Sequence, residues 1–178
     1  ALQKTRIIIP EDYRQRITEY LSLNNPYFLI VCELVFSSLI RPKEIRFIQI
    51  KHISLEGMHI FIPSDNAKTH FQRYAALTPS LVEKLQYTAT KQPNLYLFGP
   101  DFLPDKEPCH ESFFTKQWDK MRKALKLPVE MQLYSLRDTG INNMLKRFYL
   151  LLAAIFAFTA INAQSPTFST EEAPVWYY

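Results

Sequence analysis

Glycine is scarce in this chain of 178 residues, which holds only Gly57, Gly99 and Gly140. A phosphate-cradling loop of the G-x-G-x-x-G or P-loop kind needs closely spaced glycines, so nucleotide binding by such loops is excluded. Cysteine is equally scarce. Cys32 and Cys109 are too few for a disulfide framework or a cysteine-built zinc site, and they fit a reduced, cytoplasmic protein. Basic side chains are missing from the end of the chain. All 21 Lys and Arg lie at or before Arg147, and the only charges beyond it are Glu171 and Glu172. Residues 1–147 therefore carry 21 positive and 15 negative charges, a net of +6, while residues 148–178 carry a net of −2. So sharp a shift marks a boundary. The expected organisation is a basic domain over 1–147 and an apolar tail of separate origin over 148–178. The first residue is Ala rather than Met, which predicts a fragment or a processed product.

The composition is that of a folding chain, 47% hydrophobic and 21% charged. A pI of about 9.0 favours an anionic partner. Pro10 opens a helical pattern to about Ser22, and Asn24-Asn25-Pro26 ends it. An almost wholly apolar helix is expected over 27–38, with Cys32 as an inert core thiol. Arg41-Pro42-Lys43-Glu44 opens a short helix. Strand patterns at 52–55 and 58–62 flank the turn Glu56-Gly57, and a third follows at 73–77. Thr78-Pro79 reads as a helix N-cap followed by a first-turn proline. Leu95-Tyr96-Leu97-Phe98 is strand-like. A helix over 111–125 carries the stripe Phe114, Trp118, Met121 and Leu125, and a last helix starts near Ser135. The predicted fold class is α+β, mainly α-helical with a small three-stranded antiparallel sheet.

Three basic residues stand out by context. Arg41 follows the apolar helix and precedes Glu44 by three positions. Lys68 lies between the second and third strands, ahead of His70 and Arg73. Arg137 lies near the start of a helix in Tyr134-Ser135-Leu136-Arg137-Asp138-Thr139-Gly140. In that order and on those elements they resemble the catalytic domain of the tyrosine recombinases, the phage-integrase family. Ser38-Leu39-Ile40-Arg41-Pro42-Lys43-Glu44-Ile45 is similar to the family's first arginine box. Ala67-Lys68-Thr69-His70-Phe71-Gln72-Arg73 resembles its hairpin lysine segment. Tyr134-Ser135-Leu136-Arg137 resembles its second arginine box, with Tyr134 in the usual His position. The likeness covers roughly residues 6–147.

That resemblance implies a fold and a chemistry. In the family a tyrosine oxygen attacks a DNA phosphodiester, displaces the 5′ hydroxyl and leaves a 3′-phosphotyrosyl link. Arg41 and Arg137 would clamp the non-bridging oxygens of the transition state. Lys68 would protonate the leaving oxygen. Glu44 would hold the first arginine or its helix, Tyr134 would donate a hydrogen bond, and Arg73 and His70 would contact DNA. The implied partner is duplex DNA, with self-association on it. No metal, nucleotide or other cofactor is required.

The likeness stops near Arg147. The family's nucleophile is expected about 30–35 residues beyond the second arginine, where this chain reads Thr167-Phe168-Ser169-Thr170-Glu171-Glu172 without a tyrosine. Tyr149 is too early, and Tyr177 and Tyr178 lie late without a flanking motif. The tail instead has the three parts of a secretory signal peptide. Met144 precedes Lys146 and Arg147, residues 148–161 are apolar except Thr159, and small Ala163 leads into a polar segment. The expected function is site-specific DNA recombination or integration by the family, without strand cleavage by this chain. The ranked alternatives are a non-catalytic DNA-binding remnant and a membrane-associated or exported fusion product.

Overall fold

Residues 7–67 and 70–163 are described by the computed structural model, with 160–163 as helical backbone only. Their contacts divide the chain into two units, Ala1–Asn143 and Met144–Tyr178.

In the first unit, Asn24-Asn25-Pro26 separates two helices, α1 (Glu11–Asn24) and α2 (Pro26–Phe36). The Asn25 side chain accepts from Phe28 N at 3.0 Å and so caps the second helix. Helix α2 buries residues on every side, including Phe28, Val31, Leu34 and Val35, and is the centre of the core. Hydrophobic burial of this kind contributes roughly 1.5–3 kcal/mol per large side chain. The chain leaves α2 through Leu39, whose φ of 55° is left-handed. That turn points the chain into the short helix α3 (Pro42–Ile45).

A three-stranded antiparallel sheet follows, in the order β1 (Ile53–Ser54), β2 (His59–Ile62) and β3 (Arg73–Ala76). Its register pairs Ile53 with Ile60, Ile60 with Ala75, and Ile62 with Arg73. Alternation places Ile60, Ile62 and Ala75 on the buried face. Arg73 has the same parity and therefore lies on the inner face as well. Thr78 accepts from Leu81 N and caps α4 (Pro79–Leu85). Helix α5 (Phe113–Ala124) buries Phe114, Trp118 and Met121, with Leu125 partly buried at its end. Trp118 Nε1 donates to Met131 O at 2.9 Å.

Four local expectations are corrected. Leu95–Phe98 is not a strand. Leu97 and Phe98 are core residues of a looped segment held by single bridges from Tyr96 to Gln49 and to Asp105. The first strand is shorter than expected, because His52 closes a tight turn in which Gln49 N donates to His52 Nδ1. Helix α5 starts at Phe113 because His110 and Ser112 bond to each other in the preceding turn. Helix α6 (Leu133–Ala163) starts before Ser135, whose hydroxyl reaches back to accept from Gln132 N.

Gly140 in α6 sits where a Cβ would stand 2.0 Å from the Phe36 carbonyl oxygen. Only a glycine allows α6 to approach the end of α2 so closely. Thr139 secures the same turn, accepting from Ile9 N at 2.9 Å and donating to Ser135 O at 2.6 Å. In the second unit, the apolar side chains Phe148, Tyr149, Leu150, Leu151, Ile155, Phe156 and Phe158 are exposed.

Candidate functional site

The close approach of α6 to the end of α2 brings the two arginine boxes together. Arg137, one turn into α6, donates from Nε to Leu39 O at 2.9 Å. Leu39 presents that carbonyl through its left-handed turn, and the neighbouring Ser38 hydroxyl donates to Ala76 O of β3 at 2.6 Å. The segment leading into Arg41 is thus tied to both the last helix and the sheet.

Glu44 organises the centre. Its side chain is 2% exposed and accepts three hydrogen bonds. Arg41 N reaches Oε2 at 3.0 Å, Arg41 Nη1 reaches Oε1 at 3.0 Å, and Arg73 Nη2 reaches Oε2 at 2.7 Å. Burial alone would push the Glu44 carboxyl up, but the bonds and charges of Arg73 and Arg41 hold it below the ordinary carboxylate range. Arg73 Nη1 is buried without a hydrogen-bond partner among the described residues. Arg137 belongs to the same field. Burial lowers its pKa, Arg41 and Arg73 lower it further, and Glu44 and Tyr134 oppose them. Arg41, Arg73 and Arg137 against the single carboxylate of Glu44 leave a net local charge of +2. A half-buried group of that charge favours an anion bearing several acceptor oxygens.

Tyr134 is half-buried and lines a cleft of about 300 Å³ with Pro42, Trp118 and Leu133. It stands beside the first box, because Pro42 of that box lines the same cleft. His70 is exposed, with a left-handed φ of 55°, and its backbone N donates to Ala67 O. Lys68, Tyr177 and Tyr178 lie outside the described residues. Among the described residues no group of three or more His, Cys, Asp or Glu converges as a metal site.

The structure therefore gathers Arg41, Glu44, Arg73 and Arg137, with Tyr134 at the edge. Two contributors are not evident from motif matching: the Leu39 carbonyl that orients Arg137, and the inward role of Arg73. The second has a signal in the sequence, since Arg73 shares strand parity with buried Ala75 and Leu77. Cys32 and Cys109 are both buried, and burial pushes both thiols up.

No family model matches the chain, and no curated protein matches it. Among solved structures, the chain is similar to the XerA recombinase, at 16% identity and a TM-score of 0.65, over 83% of this chain and 52% of that one. It is similar to the Tn1549 transposon integrase in complex with a circular intermediate DNA, at 11% identity and a TM-score of 0.62, over 78% and 53%. A Tn1549 integrase complex with transposon right end DNA matches at 12% identity and a TM-score of 0.60, over 82% and 55%. The chain thus spans about half the length of the structures it matches. Its fold is that of the tyrosine-recombinase catalytic domain, mainly helical with a small three-stranded antiparallel sheet.

Proposed function

We propose that the chain is a duplex-DNA-binding unit of site-specific recombination or integration, acting in the cytoplasm, which grips a phosphodiester but does not itself cleave the strand. The observation that carries this reading is that Arg41 and Arg73 share buried Glu44 while Arg137 is held on the Leu39 carbonyl two residues before Arg41. Glu44 holds Arg41 and Arg73 in place without cancelling the positive field. The guanidiniums donate paired, planar hydrogen bonds to the non-bridging phosphate oxygens and favour the charge that accumulates there during transesterification. Tyr134 supplies a further donor at the edge of the site. Lys68 is assigned the proton for the leaving 5′ oxygen, and His70 a contact to the backbone. The basic balance of residues 1–147 supports a polyanionic partner, and copies of the chain are expected to meet on paired DNA sites.

The cleavage step is assigned to no residue of this chain, because residues 167–172 hold no tyrosine. Without an attacking oxygen there is no phosphotyrosyl link, however well phosphorus is polarised.

Fluorescence anisotropy of a labelled duplex against salt concentration tests the binding. Arg41→Ala and Arg137→Ala should each weaken binding and reduce the slope of log K against log salt by about 0.9. Circular dichroism checks that each variant remains folded. Slopes equal to that of the unaltered chain would remove the arginine clamp. A nicked suicide duplex should yield no covalent adduct, and one mapping to Tyr177 or Tyr178 would overturn the assignment of a cleavage-deficient chain.

A further inference from the structure

We propose that residues 144–163 are an export signal, a segment that enters a lipid bilayer with its basic end on the cytoplasmic side and is cut after Ala163. The division of the chain into units falls at Met144, although α6 runs unbroken from Leu133 to Ala163. Before that boundary α6 is one-sided, burying Leu133, Leu136 and Thr139. After it, the consecutive residues Phe148, Tyr149, Leu150 and Leu151 are all exposed. At about 100° per residue, four consecutive positions encircle a helix. A helix that is apolar all round suits hydrocarbon, whereas one that pairs with a second copy keeps a polar face opposite its seam. The occupant that fits is therefore lipid.

Charge sets the orientation. Lys146 and Arg147 immediately precede the apolar run, and residues 148–178 hold no Lys or Arg. Basic residues stay on the cytoplasmic side and meet anionic headgroups there. Length sets the type of segment. By length and composition Leu133–Thr159 passes as a span, with a mean hydropathy of 1.3. Its first turns, however, bury Leu133 and Leu136 in the first unit. The remaining apolar stretch, 148–161, extends about 21 Å as a helix, against roughly 30 Å of hydrocarbon. That is the length of a cleavable signal core, and small Ala163 before polar Gln164 and Ser165 fits the processing position. A membrane-bound signal peptidase would catalyse the cut. Water adds across the Ala163–Gln164 peptide bond, giving a carboxylate on Ala163 and a free α-amine on Gln164.

The inference does not depend on the DNA-binding reading, and its test does not involve DNA. The full chain is produced in bacterial cells, membranes are floated on a sucrose gradient to separate them from aggregates, and the intact mass is measured. The expected product floats with membranes and lacks residues 164–178. Ile155→Arg places a charge in the middle of the run at an exposed position. It should lower the membrane-to-soluble ratio about a hundredfold and leave the mass intact. Ala163→Trp should keep the membrane fraction but abolish the cut. An unaltered chain recovered as a soluble monomer or dimer of full mass would overturn the proposal, and so would a membrane-bound chain of full mass.

Discussion

Replacing Glu44 by Gln keeps the shape of the side chain and removes its charge from a site where three donors converge. The Arg41 backbone N–H, the Arg41 guanidinium and the Arg73 guanidinium all depend on those two oxygens. Whichever way the new amide is turned, its NH2 faces a donor. With the NH2 at the Oε1 position, the less costly orientation, one charge-assisted hydrogen bond is lost, worth roughly 1.5–3 kcal/mol, and the other two weaken to neutral acceptors. Breaking a fully buried pair costs roughly 3–5 kcal/mol. Here Arg41 and Arg73 keep 23% and 33% of their side-chain surface, so water relieves part of that cost. The expected loss is about 2–3 kcal/mol at pH 7, read as a lower urea midpoint with an unchanged slope. The carboxyl has a lower pKa in the folded than in the unfolded chain. Its stabilisation is therefore complete above the unfolded value, taken as 4.5, and drains away as pH falls through the folded one. The two proteins should converge in stability below pH 4.5, when Glu44 itself becomes neutral. A Glu44→Gln chain as stable as the unaltered one at pH 7, or a difference that stays constant down to pH 3, would refute the argument. Glu111→Gln is the control, since exposed Glu111 pairs with exposed Lys43, and it should leave the midpoint unmoved.

Gly140→Ala should destabilise by roughly 1–3 kcal/mol, because its Cβ would press on the Phe36 carbonyl. By displacing Arg137 from Leu39 it should weaken duplex binding in the same anisotropy assay, and unchanged stability and binding would contradict the close approach. Thr139→Val leaves the Ile9 N–H without its acceptor and should cost about 1–3 kcal/mol. Thr139→Ser retains the hydroxyl and should recover most of that in thermal denaturation. Cys32 and Cys109 should resist a thiol reagent at neutral pH and react only in denaturant, because burial disfavours both thiolates. Rapid labelling of the folded chain would contradict their burial.

Much of the secondary structure was legible because its signals are local. Asn25 and Thr78 cap helices with their own side chains, and Phe114, Trp118 and Met121 bury one face at helical spacing. The three-stranded sheet followed from apolar alternation around short turns. Leu95–Phe98 departs from its strand-like pattern for a physical reason: an apolar run shows that residues are buried, not whether their backbone finds a strand partner. A start near Ser135 is legible, and α6 begins two residues earlier because the Ser135 hydroxyl accepts from Gln132 N from inside the first turn.

The sequence by itself determined most element types, the charge boundary after Arg147, the absence of tyrosine from 167–172 and the candidacy of Arg41, Glu44 and Arg137. Each of these depends on residue identity and short-range spacing. Only the tertiary structure decided that Arg73 shares the Glu44 carboxylate across 29 positions, and that Arg137 hangs from the Leu39 carbonyl across 98. Those contacts depend on strand register, on a left-handed turn at Leu39 and on the clearance at Gly140. They are properties of packed surfaces, which no local pattern encodes.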